Sequence, residues 1–170
     1  MPDPFDTLTL IAEVSVAIIG FSGIVIAVGN RSRTVLTALE LRRLSNLFAF
    51  SGLALTLSLV WMSIGHLPQI SQEVLWSVGS LVVLVLATPW LIRDVIRVRN
   101  LSTKEREEVS NPLVATFIGI AGVLLLVQIA NIAIWQSSWP FLLALVLNIV
   151  GALQQFILLI RSGIQIDSVG

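Results

Sequence analysis

The stretch IAEVSVAIIGFSGIVIAVGNRSR, residues 11 to 33, is lipid-compatible except for one carboxylate near its start, Glu13. An acid held inside a bilayer can attract a cation, exchange a proton or hydrogen-bond a neighbouring helix, and each use needs water or a partner. At 100° per residue, Ala17, Gly20, Ile24, Ala27 and Arg31 fall within roughly 40° of the line through Glu13. One narrow face therefore carries acid at one end, small residues through its middle and arginine at the other. Small residues let helix backbones approach closely, and several such faces around an axis leave a bore with an acidic ring at its mouth.

Further polar side chains interrupt the later apolar runs. Asn148 lies about nine residues beyond Trp139, roughly 13 Å of helix, where an unpaired amide would be expensive. Gln128 and Asn131 point nearly opposite to Gly119 and Gly122, so two faces of that helix ask for protein contact. Ser45, Ala49, Gly52, Thr56 and Ser63 share one face of the second apolar run, and Ala144, Asn148, Ala152 and Gln155 share one of the last; both read as seams for neighbouring helices. The candidate ion, proton or pore residues are thus Glu13, Ala17, Gly20, Asn131 and Asn148. His66, beside Pro68, reads as a capping or surface residue. Arg93, Arg97 and Arg99 form a juxtamembrane cluster suited to anionic lipid headgroups, at about 1 kcal/mol per cation, with Glu105, Glu107 and Glu108 nearby to dilute its field.

The elements that must position these groups follow from composition. The chain is 56% hydrophobic and 12% charged, against about 25% charged in a soluble domain, which places it in a bilayer. Crossing about 30 Å of hydrocarbon takes roughly 20 apolar residues. Five segments qualify, near 8–29, 44–67, 73–92, 112–135 and 139–160, forming one all-α membrane domain with short loops. The flank before the first is acidic, unlike a secretory signal, so that segment is expected to persist in the mature protein. If the first crossing begins at Leu8, Glu13 sits about 7–8 Å below that level, where a charge costs about 1–3 kcal/mol.

All ten basic residues fall in the first and third loops and the C-terminal tail; the N-terminus and the other two loops hold none. The positive-inside rule then predicts an N-terminus outside and a C-terminus inside, as five crossings require. Trp61, Trp76, Trp135 and Trp139 fall near the outer helix ends and Trp90 near an inner one, the placement of an aromatic belt. Asn111-Pro112 and Pro140 read as helix starts, Pro89 as a kink or end of regular helix, and STKEREE as a short capped turn.

The tripeptide in LIAEVSVAIIG is similar to the first helix of the small multidrug resistance exporters, whose membrane glutamate binds cation and proton in turn. That resemblance implies exchange chemistry at Glu13 alone; those proteins have four spans and use tyrosine, whereas this chain has five and no tyrosine. One histidine, no cysteine and Glu13 as the only carboxylate away from a boundary leave no nucleophile–base pair and no metal cluster. The expectation is no enzyme, no cofactor, no metal and no nucleic-acid partner.

Five helices enclose little volume, so a homo-oligomer in a prokaryotic inner membrane is expected. Its function is read as a small channel or channel-like transporter for a cation or small solute, with Glu13, Ala17, Gly20 and Ala27 lining the path. The alternatives are a non-conducting scaffold or accessory subunit, and a proton-coupled exporter using Glu13.

Overall fold

The computed structural model describes residues 3–29, 38–99 and 112–167, with side chains described over 3–24, 40–93, 95–96 and 118–160. Its elements are α1 (Pro4–Gly29), α2 (Ala38–Gly65), α3 (Gln72–Arg99), α4 (Pro112–Ala130), a π-helical turn (Asn131–Trp135) and α5 (Ser138–Asp167). Among the described residues, five stretches are long and apolar enough to cross a membrane: Pro4–Ile24, Glu40–Gly65, Gln72–Arg93, Ile118–Trp135 and Ser138–Ile160. The composition of these helices is that of a multi-pass membrane protein.

Local chemistry sets several boundaries. Asp3 caps α1, its Oδ1 accepting from the Phe5 N–H at 3.0 Å, while Pro4 takes the first helical position, where a missing N–H costs nothing. Ser71 begins α3, its carbonyl accepting from Leu75 N–H at 3.0 Å and its hydroxyl from Val74 N–H at 3.4 Å. α4 starts at Pro112 as expected, and α5 starts at Ser138, two residues before Pro140. Pro89 does not end α3, which continues to Arg99. Its missing N–H leaves one carbonyl of the preceding turn without an intrahelical donor, and the Thr88 hydroxyl bonds the adjacent Leu84 carbonyl at 2.6 Å. The STKEREE segment and Asn111 lie outside the described residues.

The chain divides into two compact units. The first comprises residues 1–67 and 145–170, and the second residues 68–144. In the first, α1 buries Leu8, Ile11, Ser15, Ile18 and Ser22, and α2 buries Glu40, Leu47, Ser51, Ala54, Ser58 and Trp61. Both stripes repeat every seven residues, the spacing of a helix pair that keeps one seam together along its length. Small hydroxyl residues suit that seam because Ser15, Ser22 and Ser51 satisfy themselves, while the Ser58 hydroxyl is buried with no partner among the described residues. Ser15 donates to Ile11 O at 2.7 Å, Ser22 to Ile18 O at 2.6 Å and Ser51 to Leu47 O at 2.7 Å.

Within the first unit α2 packs through this stripe and not through the Ser45–Ser63 face. Ser45, Thr56 and Ser63 are exposed, and Ala49 and Gly52 only half-buried. The stripe of Leu47, Ala54 and Trp61 removes more apolar surface at the seam, and serines that bond their own helix do not oppose it. The C-terminal part of α5 completes the unit through Leu145, Ile149, Ala152 and Leu159. There Gly151 faces the Phe50 ring, at 3.4 Å from where its Cβ would be.

In the second unit, Leu75, Trp76, Ser80 and Val83 of α3 are buried, as are Gln128, Asn131, Pro140, Phe141 and Ala144. Trp76 and Phe141 pack as tilted rings with centroids 6.1 Å apart.

Candidate functional site

Glu13 follows Pro4 by nine residues, about 13 Å of helix. It is exposed, together with Ala17, Gly20 and Ile24 on the same face of α1, on the side away from the Leu8–Ser22 seam. Among the described residues Glu13 makes no hydrogen bond or ion pair. A Cβ added at Gly20, or at neighbouring Gly23, would meet nothing within 4 Å. The face carrying acid and small residues is therefore not the one that joins α1 to its neighbours within the first unit. Ala27 lies in α1, but its side chain is outside the described set, and Arg31 lies outside the described residues.

Asn131 contrasts with this. It is fully buried in the second unit at the start of the π-turn. Its Nδ2 donates to Ser80 Oγ at 2.7 Å and to Ser137 O at 3.1 Å; its Oδ1 accepts from Ser137 N–H at 3.0 Å and from Ser137 Oγ at 3.4 Å. Its carbonyl accepts from Gln136 N–H at 2.9 Å, and Gln136 takes a left-handed conformation (φ 48°). One side chain thus ties α3 to the α4–α5 connection and sets the geometry of the turn. Gln128, one turn earlier and also fully buried, donates to Pro140 O at 2.8 Å, while its Oε1 is buried with no partner among the described residues. The turn also brings Trp135 and Trp139 together, both half-exposed, with centroids 5.1 Å apart.

Asn148 belongs to the first unit, is half-buried between Leu145 and Ala152 on α5, and is not without a partner. The structure therefore gathers Glu13, Ala17 and Gly20 onto one face and places Asn131 in a different unit.

Two residues that sequence reasoning passed over hold the opposite end of the first unit. Glu40, in the first turn of α2, is only 5% exposed and is engaged. A carboxylate there is favoured by the free N–H groups of the helix start. Its position seven residues before Leu47, on the buried stripe, is the signal that marks it. One turn on, Arg43 Nη1 donates to Leu158 O of α5 at 3.0 Å. At the end of α1 and α2 opposite to Arg43, the Phe5 and His66 rings lie 5.7 Å apart, Thr9 Oγ1 approaches Met62 Sδ at 3.3 Å, and His66 Nδ1 meets Met62 O.

Of the expected headgroup cluster, Arg93 is exposed and its guanidinium lies 4.9 Å from the Trp90 ring centroid. Arg97 and Arg99 are within α3, with side chains outside the described set.

No protein-family model, curated protein or solved structure matches the chain, so the class rests on its helices and the candidate site on its geometry.

Proposed function

We propose that the chain assembles into a small homo-oligomeric channel or channel-like transporter for a cation or small solute, with α1 of each copy lining a shared path. The observation that supports this most is the exposure of Glu13, Ala17 and Gly20 on the face of α1 that the chain leaves uncovered. A carboxylate facing acyl chains is costly, so such a face calls for water or another copy of the protein, and a symmetric ring of α1 helices supplies both. The distribution of basic residues supports an N-terminus outside and a C-terminus inside, and under that orientation Glu13 lies in the outer half of the membrane, where a carboxylate concentrates cations. Transport, not catalysis, is the activity assigned.

Cation flux into liposomes containing purified protein tests the reading. It predicts flux above that of empty liposomes, reduced or altered in selectivity by Glu13→Gln. Flux at background from protein that remains oligomeric would sink it, and flux driven only by a proton gradient would favour the exchange reading instead.

One observation favours a non-conducting scaffold. Only 11% of the α4 span is buried in the chain, against 28–33% in the other four, and Gly119 and Gly122 on it meet nothing that a Cβ would touch. Such a helix fits association with a partner as well as with lipid. Under this reading Glu13→Gln changes assembly and leaves flux at background.

A further inference from the structure

We infer that Trp90 and Arg93 of α3 form a binding site for the phosphate of an anionic phospholipid, independent of whether the protein conducts. Arg93 is the first charged residue after Glu73 along the apolar run of α3, and the helix runs on to Arg99, so Arg93 suits the level where hydrocarbon gives way to headgroups. Trp90 precedes it by one turn and is 44% exposed, and an indole prefers that same level of the bilayer.

The guanidinium lies over the Trp90 ring at 4.9 Å and pairs with no carboxylate among the described residues. A guanidinium held against an aromatic ring keeps N–H groups to offer a phosphate, which arginine grips with two parallel hydrogen bonds. The occupant is a lipid and not a soluble phosphate because the flank is apolar. Ile92 is 53% exposed and Trp90 nearly as much, on the span side of the cation, so a molecule with both an acyl chain and an anionic head covers ring and charge together. Arg97 and Arg99 follow in the sequence, so that with Asp94 counted the stretch 93–99 still carries three arginines against one carboxylate.

The test uses the full chain in mild detergent with equal amounts of phosphatidylglycerol and phosphatidylcholine of matched acyl chains, the retained lipid being counted by native mass spectrometry. Phosphatidylglycerol should be retained over phosphatidylcholine by roughly fivefold or more, since one cation at an anionic headgroup is worth about 1 kcal/mol. Arg93→Gln should bring the two close to parity, with Arg93→Lys falling between because the charge survives and the stacked fork does not.

Arg42→Gln removes an exposed arginine from α2 and should leave the ratio unchanged. Parity in the unmodified protein overturns the proposal, as does an equal loss in Arg42→Gln and Arg93→Gln, which would reduce the effect to general charge. Displacement of the lipid by millimolar inorganic phosphate also overturns it, since a free anion would then suffice.

Discussion

Asn131 and Glu13 are both polar residues in apolar helices, and the fold treats them in opposite ways. Asn131 is fully buried, and its amide bonds Ser80 and Ser137. Glu13 stands on an open face with no partner among the described residues. A neutral amide can be satisfied by hydroxyls and backbone, so burying it ties helices together at little net cost. A carboxylate cannot be satisfied that way without a cation or several donors. The difference teaches that the chain uses the Asn131 amide for its own architecture and leaves the Glu13 carboxylate facing outward, toward whatever adjoins it.

Breaking the amide end of this contrast should give the largest effect. Asn131→Leu removes the bonds to Ser80 and Ser137 and leaves buried groups unsatisfied, so unfolding in detergent should show a loss of about 2–3 kcal/mol. Flux per folded protein should be unchanged. If instead stability holds and flux falls, Asn131 belongs with Glu13 and the contrast fails.

Gly151→Val should cost about 1–3 kcal/mol, because a branched side chain is driven into the Phe50 ring that already lies at 3.4 Å from the Cβ position. Gly20→Val meets open space and should leave the unfolding of the single chain nearly unaltered while disturbing oligomer mass on size-exclusion chromatography. Finding the two valines equally destabilising would mean that the exposed face of α1 is not spare surface. The smallest effect belongs to the seam serines. Ser15→Ala and Ser51→Ala delete hydroxyls that bond only their own helix, and thermal unfolding should place each within about 0.5 kcal/mol of the unmodified protein.

The five spans were legible because hydropathy and length alone define them, and neither depends on neighbours. The choice of face was less so. On α2 the sequence offers small and polar residues on the Ser45–Ser63 face and again at Ser51, Ala54 and Ser58. Small and hydroxyl residues read alike on two sides of a helix, so only the packing of Leu47 and Trp61 decides which is buried.

Glu40 escaped notice because it falls outside the apolar run, where a charge is ordinary; its place on a seven-residue repeat matters only once that repeat is known to be the seam. The π-turn closes on local bonds from Gln136 and Ser137 to Asn131, but the tie from Asn131 to Ser80, 51 positions away, is one that no local pattern contains. For the acidic face the sequence did supply the alignment of Glu13, Ala17, Gly20 and Ile24. It could not supply the fact that the chain leaves this face open.

Water access to that face is the most direct test of the account. The chain has no cysteine, so Ala17→Cys and Gly20→Cys each introduce a single thiol, with Val85→Cys, exposed within the apolar run of α3, as the control that the account assigns to lipid. A charged, membrane-impermeant methanethiosulfonate reagent reacts with thiols only where water reaches them. In intact membranes the account predicts modification at Ala17→Cys and Gly20→Cys, slowed by excess permeant cation, and none at Val85→Cys. Failure to modify all three, with each becoming reactive once the protein is denatured, would put the Glu13 face of α1 against lipid or a dry partner and contradict a path along it.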